Sequence, residues 1–127
     1  MTTQYIMLDT NCLANFLNGE ALETSLVGAS DILISEITEM EIQCSPNLTS
    51  SERKILRQFL DGITIVRLSD KIRELTVKTR LTTRMKLMDA IIVATSQYLK
   101  VPILTCDADF EPVKPTTVIL LPVVKKR

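Results

Sequence analysis

The residues of this chain that could do chemistry are its acids. Fifteen Asp and Glu residues stand against fifteen Lys and Arg, and there is no histidine. That absence excludes imidazole acid/base catalysis, Ser-His-Asp and Cys-His nucleophile systems and the usual zinc sites. Glycine occurs only at positions 19, 28 and 62, so neither a phosphate-cradling P-loop nor a GxGxxG fingerprint can be written. What remains is a set of carboxylates, Asp9, Glu41, Asp89, Asp107 and Asp109, each beside a turn or near a helix start. Several carboxylates held together without Lys or His among them repel, and one or two hard divalent cations with oxygen ligands, Mg²⁺ or Mn²⁺, relieve that repulsion. Such a centre activates water and neutralises charge developing on a phosphodiester. Thr10, Asn11, Ser35 and Thr105 are hydroxyl and amide groups beside the acids, suited to orienting them.

The elements that must position these acids can be read from hydrophobic patterning. Residues 4–8, 32–35, 63–68, 101–105 and 118–121 are short apolar runs that read as buried strands. Between them, residues 12–17, 21–27, a stretch from Ser35 or Thr38 to about Cys44, 52–60 and 70–80 read as helical, with Asn18-Gly19, Ser45-Pro46 and Asp61-Gly62 as stops. Residues 86–96 form a nearly continuous apolar run without period-2 alternation, a helix buried on most of its circumference with Asp89 near its start. Strands separated by helices predict an α/β fold: a three-layer sandwich around a mostly parallel sheet of about five strands, one domain over residues 1–127. In such sheets ligands bind beyond the carboxyl ends of the strands. Asp9 follows the first strand, Glu41 lies in the helix after the second, Asp89 opens the helix that feeds the fourth, and Asp107 and Asp109 follow the fourth. All are therefore expected at one sheet edge.

Each residue also has a plain structural reading. Asp9 and Asp107-x-Asp109 suit turns, Thr38-x-x-Glu41 matches a capping box, and Asp89 suits a helix N-cap or first turn. It is the coincidence at one edge that favours a site. Lys71, Arg73, Lys78, Arg80, Arg84 and Lys86 would ordinarily be a solvated helix face. Their placement before the Asp89 helix suggests a phosphate-backbone track, with Lys78, Arg80, Arg84 and Lys86 as RNA-binding candidates. With a formal net charge of zero, a polyanion must be held by such a local patch. No apolar run approaches the roughly 20 residues needed to cross a bilayer. The N-terminus lacks a basic leader, and Cys12, Cys44 and Cys106 read as reduced, packed thiols, so a cytoplasmic location without membrane contact is expected.

Four motifs in order resemble the PIN-domain family, more narrowly its VapC-like toxin ribonucleases. They are Met7-Leu-Asp9-Thr-Asn11, Ile34-Ser-Glu-Ile-Thr38-Glu-Met-Glu41, Leu87-Met-Asp89-Ala-Ile-Ile-Val-Ala94 and Leu104-Thr-Cys-Asp107-Ala-Asp109-Phe110. The resemblance implies metal-dependent endonucleolytic cleavage of RNA, with Asp9, Glu41, Asp89 and Asp107 as an acidic quartet holding Mg²⁺ or Mn²⁺. It makes Asn11 and Thr105 supporting polar groups, and either Asp107 or Asp109 the fourth acid. It also implies an antitoxin partner and a homodimer, although PIN nucleases that are not toxins share the pattern. Two other classes compete. A receiver-like signalling module would pair acids after the first strand and place a lysine after the last. A phosphatase would use Asp107-x-Asp109 as nucleophile and acid.

Overall fold

The computed structural model describes residues 4–20, 27–28, 30–107 and 110, together with the backbone of 118–120. In chain order the elements are β1 (Tyr5–Leu8), α1 (Thr10–Leu17), β2 (Asp31–Ser35), α2 (Glu36–Gln43), α3 (Ser50–Asp61), β3 (Thr64–Val66), α4 (Asp70–Thr82), α5 (Leu87–Leu99), β4 (Ile103–Thr105) and β5 (Val118–Leu120). The strands form one five-stranded sheet in the order β3-β2-β1-β4-β5, and every pairing is parallel. The order differs from the 2-1-3-4-5 arrangement of receiver-type domains, which removes the structural basis for that alternative.

The strands are apolar on both faces because helices cover both. Ile6 and Leu8 of β1, Ile34 of β2 and Leu104 of β4 join Leu13 of α1 and Leu56 and Leu60 of α3 in one buried cluster. Met7, Leu33 and Ile103 point the other way and meet Ala90, Ile92 and Val93 of α5, with Phe110 beside them. The result is the expected three-layer sandwich. Helix α2 packs against α1, α3 and α5 as well as β2 and β3.

Helix α5 is the most deeply set. Seven consecutive residues, Ala90 to Ser96, are buried. Burial of each large aliphatic side chain among them contributes roughly 1.5–3 kcal/mol. The two hydroxyls at the end of the run are satisfied locally, Thr95 by the Ile91 carbonyl at 2.7 Å and Ser96 by the Val101 carbonyl. The helix stops at Lys100, whose φ of 56° places it in the left-handed region.

Helix α4 buries a different face from the one its apolar residues suggest. Val77 is 59% exposed, while Ile72, Thr76 and Thr79 are buried. The threonines are tolerated there because their hydroxyls donate to the carbonyls of Ile72 and Leu75, at 2.7 and 2.9 Å. In α3 likewise, Ile55 is exposed while Leu56 and Leu60 are buried. The third strand is shorter than its apolar run, since the Leu68 amide donates to Glu36 at the start of α2 instead of continuing the ladder. The helix read at residues 21–27 falls largely outside the described residues.

Candidate functional site

The register of the sheet assembles the site. Leu8 pairs with Leu104, so the next residues along, Asp9 and Thr105, stand side by side at the carboxyl edge. The chain turns at once from β1 into α1, and Asp9 caps that helix: its Oδ1 accepts the Cys12 amide at 2.8 Å. Its other oxygen, Oδ2, accepts the Thr105 hydroxyl at 2.5 Å, and Thr105 Oγ1 in turn accepts the Asp107 amide at 2.9 Å. One threonine therefore ties the ends of two neighbouring strands and the start of the Asp107 loop together.

Ser35, the last residue of β2, caps α2 by accepting the Ile37 amide at 3.2 Å. This places Thr38 in the interior of α2, and the capping box read from Thr38 and Glu41 does not form. Thr38 is buried and its hydroxyl has no hydrogen-bond partner among the described residues. The carbonyl four residues back, the usual acceptor for a helical threonine, belongs to Ile34 of β2 and is outside the helix. Glu41 is exposed and held differently, by the Thr10 hydroxyl, which donates to its Oε1 at 2.6 Å. Thr10 thus positions one acid across two helices, a role its neighbourhood in sequence only hinted at.

Asp89 is the third residue of α5, with Lys86 at the N-cap position, so it is a first-turn residue and not the cap. It is half-buried. Burial pushes its carboxyl above the usual aspartate range, Asp107 and Asp9 push it further, Lys86 draws it back, and Glu41 adds to the rise. Burial likewise raises Asp9, against the pull of the Thr105 hydroxyl and the Cys12 amide and thiol, with Asp107 adding to the rise. Asp89 is therefore opposed by Asp107, Asp9 and Glu41, and Asp9 by Asp107. Among the described residues, no three Asp, Glu or Cys side chains converge as the ligands of an ion would. The donor set is made of oxygens alone, and its mutual repulsion is what a hard divalent cation relieves.

Asp109 lies outside the described residues. Asn11 is exposed in the first turn of α1. Of the basic candidates, Lys86 lies close enough to act on Asp89, and Lys78 and Arg84 are exposed. Arg80 is partly committed to the fold, since its guanidinium donates to the Met85 carbonyl at 2.6 Å. A concavity of about 440 Å³ lined by Tyr5, Phe16, Val27, Asp31 and Thr64 opens near the opposite ends of the strands and shares no residue with the acids. No described helix is long and apolar enough to cross a membrane.

The strand order changes direction between β1 and β4, the place where open parallel sheets bind ligands, and Asp9 and Thr105 stand there. This arrangement is that of a PIN domain: the sequence matches that family over residues 6–114, and the chain belongs to it. Three solved structures extend the likeness. A toxin–antitoxin complex from Klebsiella pneumoniae contains a chain 27% identical, with 93% of this chain and 99% of that one covered and a TM-score of 0.82. VapBC2 from Rickettsia felis, bound to a DNA fragment from its promoter, matches at 18% identity, 93% and 99% coverage and a TM-score of 0.78. VapBC-1 from nontypeable Haemophilus influenzae matches at 15% identity, 92% and 98% coverage and a TM-score of 0.76. Comparison with curated protein sequences gives no match.

Proposed function

We propose that residues 1–127 act as one nuclease domain, a divalent-metal-dependent endoribonuclease that is the toxin of a toxin–antitoxin pair. The observation that carries this reading is the gathering of acids at the carboxyl edge, where Thr105 ties Asp9 to the Asp107 loop, Thr10 holds Glu41, and Asp89 feels the charge of all three. A fold gains nothing from holding like charges together, so the arrangement is best explained by a cationic ligand. Asp9, Asp89 and Asp107 would hold Mg²⁺ or Mn²⁺, with Asp109 as the alternative donor on the same loop. When bound, such an ion supplies positive charge at a phosphodiester and lowers the pKa of water. Thr105 keeps the Asp9 carboxylate turned into the site, and Glu41, held through Oε1 by Thr10, takes the proton from the attacking water. Lys78, Arg80, Arg84 and Lys86 carry the RNA backbone toward the acids, and Asn11 supports the site from the first turn of α1.

The toxin assignment draws on the toxin–antitoxin complexes that this chain resembles. It implies a small antitoxin protein as partner, a homodimer as the working form and a cytoplasmic site of action.

The test is cleavage of a fluorescently labelled RNA with Mn²⁺ or Mg²⁺ present. Asp9→Asn and Asp89→Asn, shown by circular dichroism to be folded, should each lose several kcal/mol of transition-state stabilisation, roughly 100-fold or more in rate. Equal rates for the variants and the wild type would overturn the reading. Expression in a bacterial host should arrest growth, and Asp89→Asn should relieve the arrest.

A further inference from the structure

The sulfurs of Cys12 and Cys106 lie 3.7 Å apart, in contact, although the residues are 94 positions apart in sequence. A disulfide needs about 2.05 Å, so the two must approach by roughly 1.7 Å. Cys106 follows the short strand β4, in the loop that carries Asp107, where side-chain rotation and a small loop shift can supply that movement. The Asn15 amide, 3.9 Å from Cys106 Sγ, lies beside the same sulfur. Cys12 is fully buried and Cys106 is partly exposed, which fixes the order in which an oxidant meets them.

We propose that Cys12 and Cys106 form an oxidant-sensitive thiol pair whose disulfide closes beside the acidic site and slows its reaction. In cytosolic proteins such bridges are typically transient and redox-sensing. With hydrogen peroxide as the oxidant, the Cys106 thiol gives up its proton and its sulfur attacks a peroxide oxygen. The O–O bond breaks, hydroxide leaves to become water, and Cys106 becomes a sulfenic acid. The Cys12 sulfur, deprotonated, then attacks the Cys106 sulfur, the S–O bond breaks, and the hydroxyl departs as a second water. Both sulfurs are oxidised and both peroxide oxygens are reduced, so two thiols and one peroxide give one disulfide and two waters.

The consequence for the site follows from where the two residues sit. The Cys12 thiol and amide both donate to the Asp9 carboxylate, and Cys106 stands between Thr105 and Asp107. Bridging removes the thiol donor from Asp9 and pulls on the segment that joins Thr105 to Asp107. The effect on cleavage rests on the nuclease reading above, whereas the bridge itself does not.

The experiment uses the full chain carrying Cys44→Ser, which removes the exposed third thiol. After hydrogen peroxide treatment, intact mass should fall by about two hydrogens, and non-reducing digestion should yield a peptide joining Cys12 to Cys106. RNA cleavage should drop at least tenfold and return with dithiothreitol. Cys106→Ser, a change of one atom at a residue packed on the edge of the core and checked by thermal melting, should keep basal cleavage and lose both the mass change and the sensitivity. Cys12→Ser, checked by thermal melting, should also block the bridge. A peroxide-treated protein in which Cys106 proceeds to sulfinic acid with Cys12 still a thiol would overturn the pair. A bridge that leaves cleavage unchanged would overturn its regulatory role. Failure of the reduced protein to cleave RNA would overturn the nuclease reading, with the mass measurement still deciding the bridge.

Discussion

At the scale of single residues, the acids weaken the fold that presents them. Asp9 and Asp89 both titrate above the ordinary aspartate range in the folded chain. A carboxyl whose folded pKa is raised contributes stability that is fully present below its unfolded value and lost as pH rises through the folded one. With a chelator present, the wild type should therefore gain stability as pH falls through the raised values toward the ordinary aspartate range. Asp89→Asn removes the charge that Asp107, Asp9 and Glu41 oppose. Asp89 is half-exposed and screened, so the gain is small: a melting temperature higher by roughly 2–5 °C at neutral pH, with the difference shrinking in mild acid. Thermal melts at both pH values check it, and a variant less stable than the wild type at neutral pH would count against the repulsion. Thr105→Val has the opposite sign, since it strips a donor from buried Asp9 and an acceptor from the Asp107 amide. It should cost about 1–3 kcal/mol in urea unfolding, most of which Thr105→Ser should restore.

At the scale of elements, much was legible in the sequence. The order and type of the described elements, the deep burial of α5 and the clustering of acids at one edge all follow from apolar runs, breakers and the rules of parallel sheets. What was illegible depended on contacts that local pattern does not encode. The face that α4 buries is set by threonines that bond their own helix, which a hydropathy reading scores as polar. Of the two caps that the sequence offers for α2, Ser35 and Thr38, the end of β2 selects Ser35, and the Thr38-x-x-Glu41 spacing lost to strand length. The grip of Thr10 on Glu41 spans 31 residues and has no local signature. Two changes probe the helix that carries Asp89. Lys100→Gly relieves a left-handed residue and should stabilise the protein by about 0.5–1 kcal/mol in chemical denaturation. Ile92→Ala, in the buried run, should cost about 2–5 kcal/mol by the same measurement.

At the scale of the whole molecule, a ligand that binds only the assembled acids must stabilise the entire fold. Under the proposed reading, Mn²⁺ at 100 times its dissociation constant should add about 2.7 kcal/mol to the unfolding free energy. The same addition should leave Asp9→Asn and Asp89→Asn nearly unchanged, as melting across a metal titration would show. The sheet order has a further consequence, for synthesis. The Thr105–Asp9 hydrogen bond joins residues 96 positions apart, and β4 must take its place beside β1 before it can form. Contacts of such separation form slowly, because loop closure precedes any reward. A nascent chain ending before β4 already holds Asp9, Glu41 and Asp89 but lacks Thr105 and Asp107, so under the proposed reading a ribosome making this protein meets a complete acid set only after most of the chain has been translated.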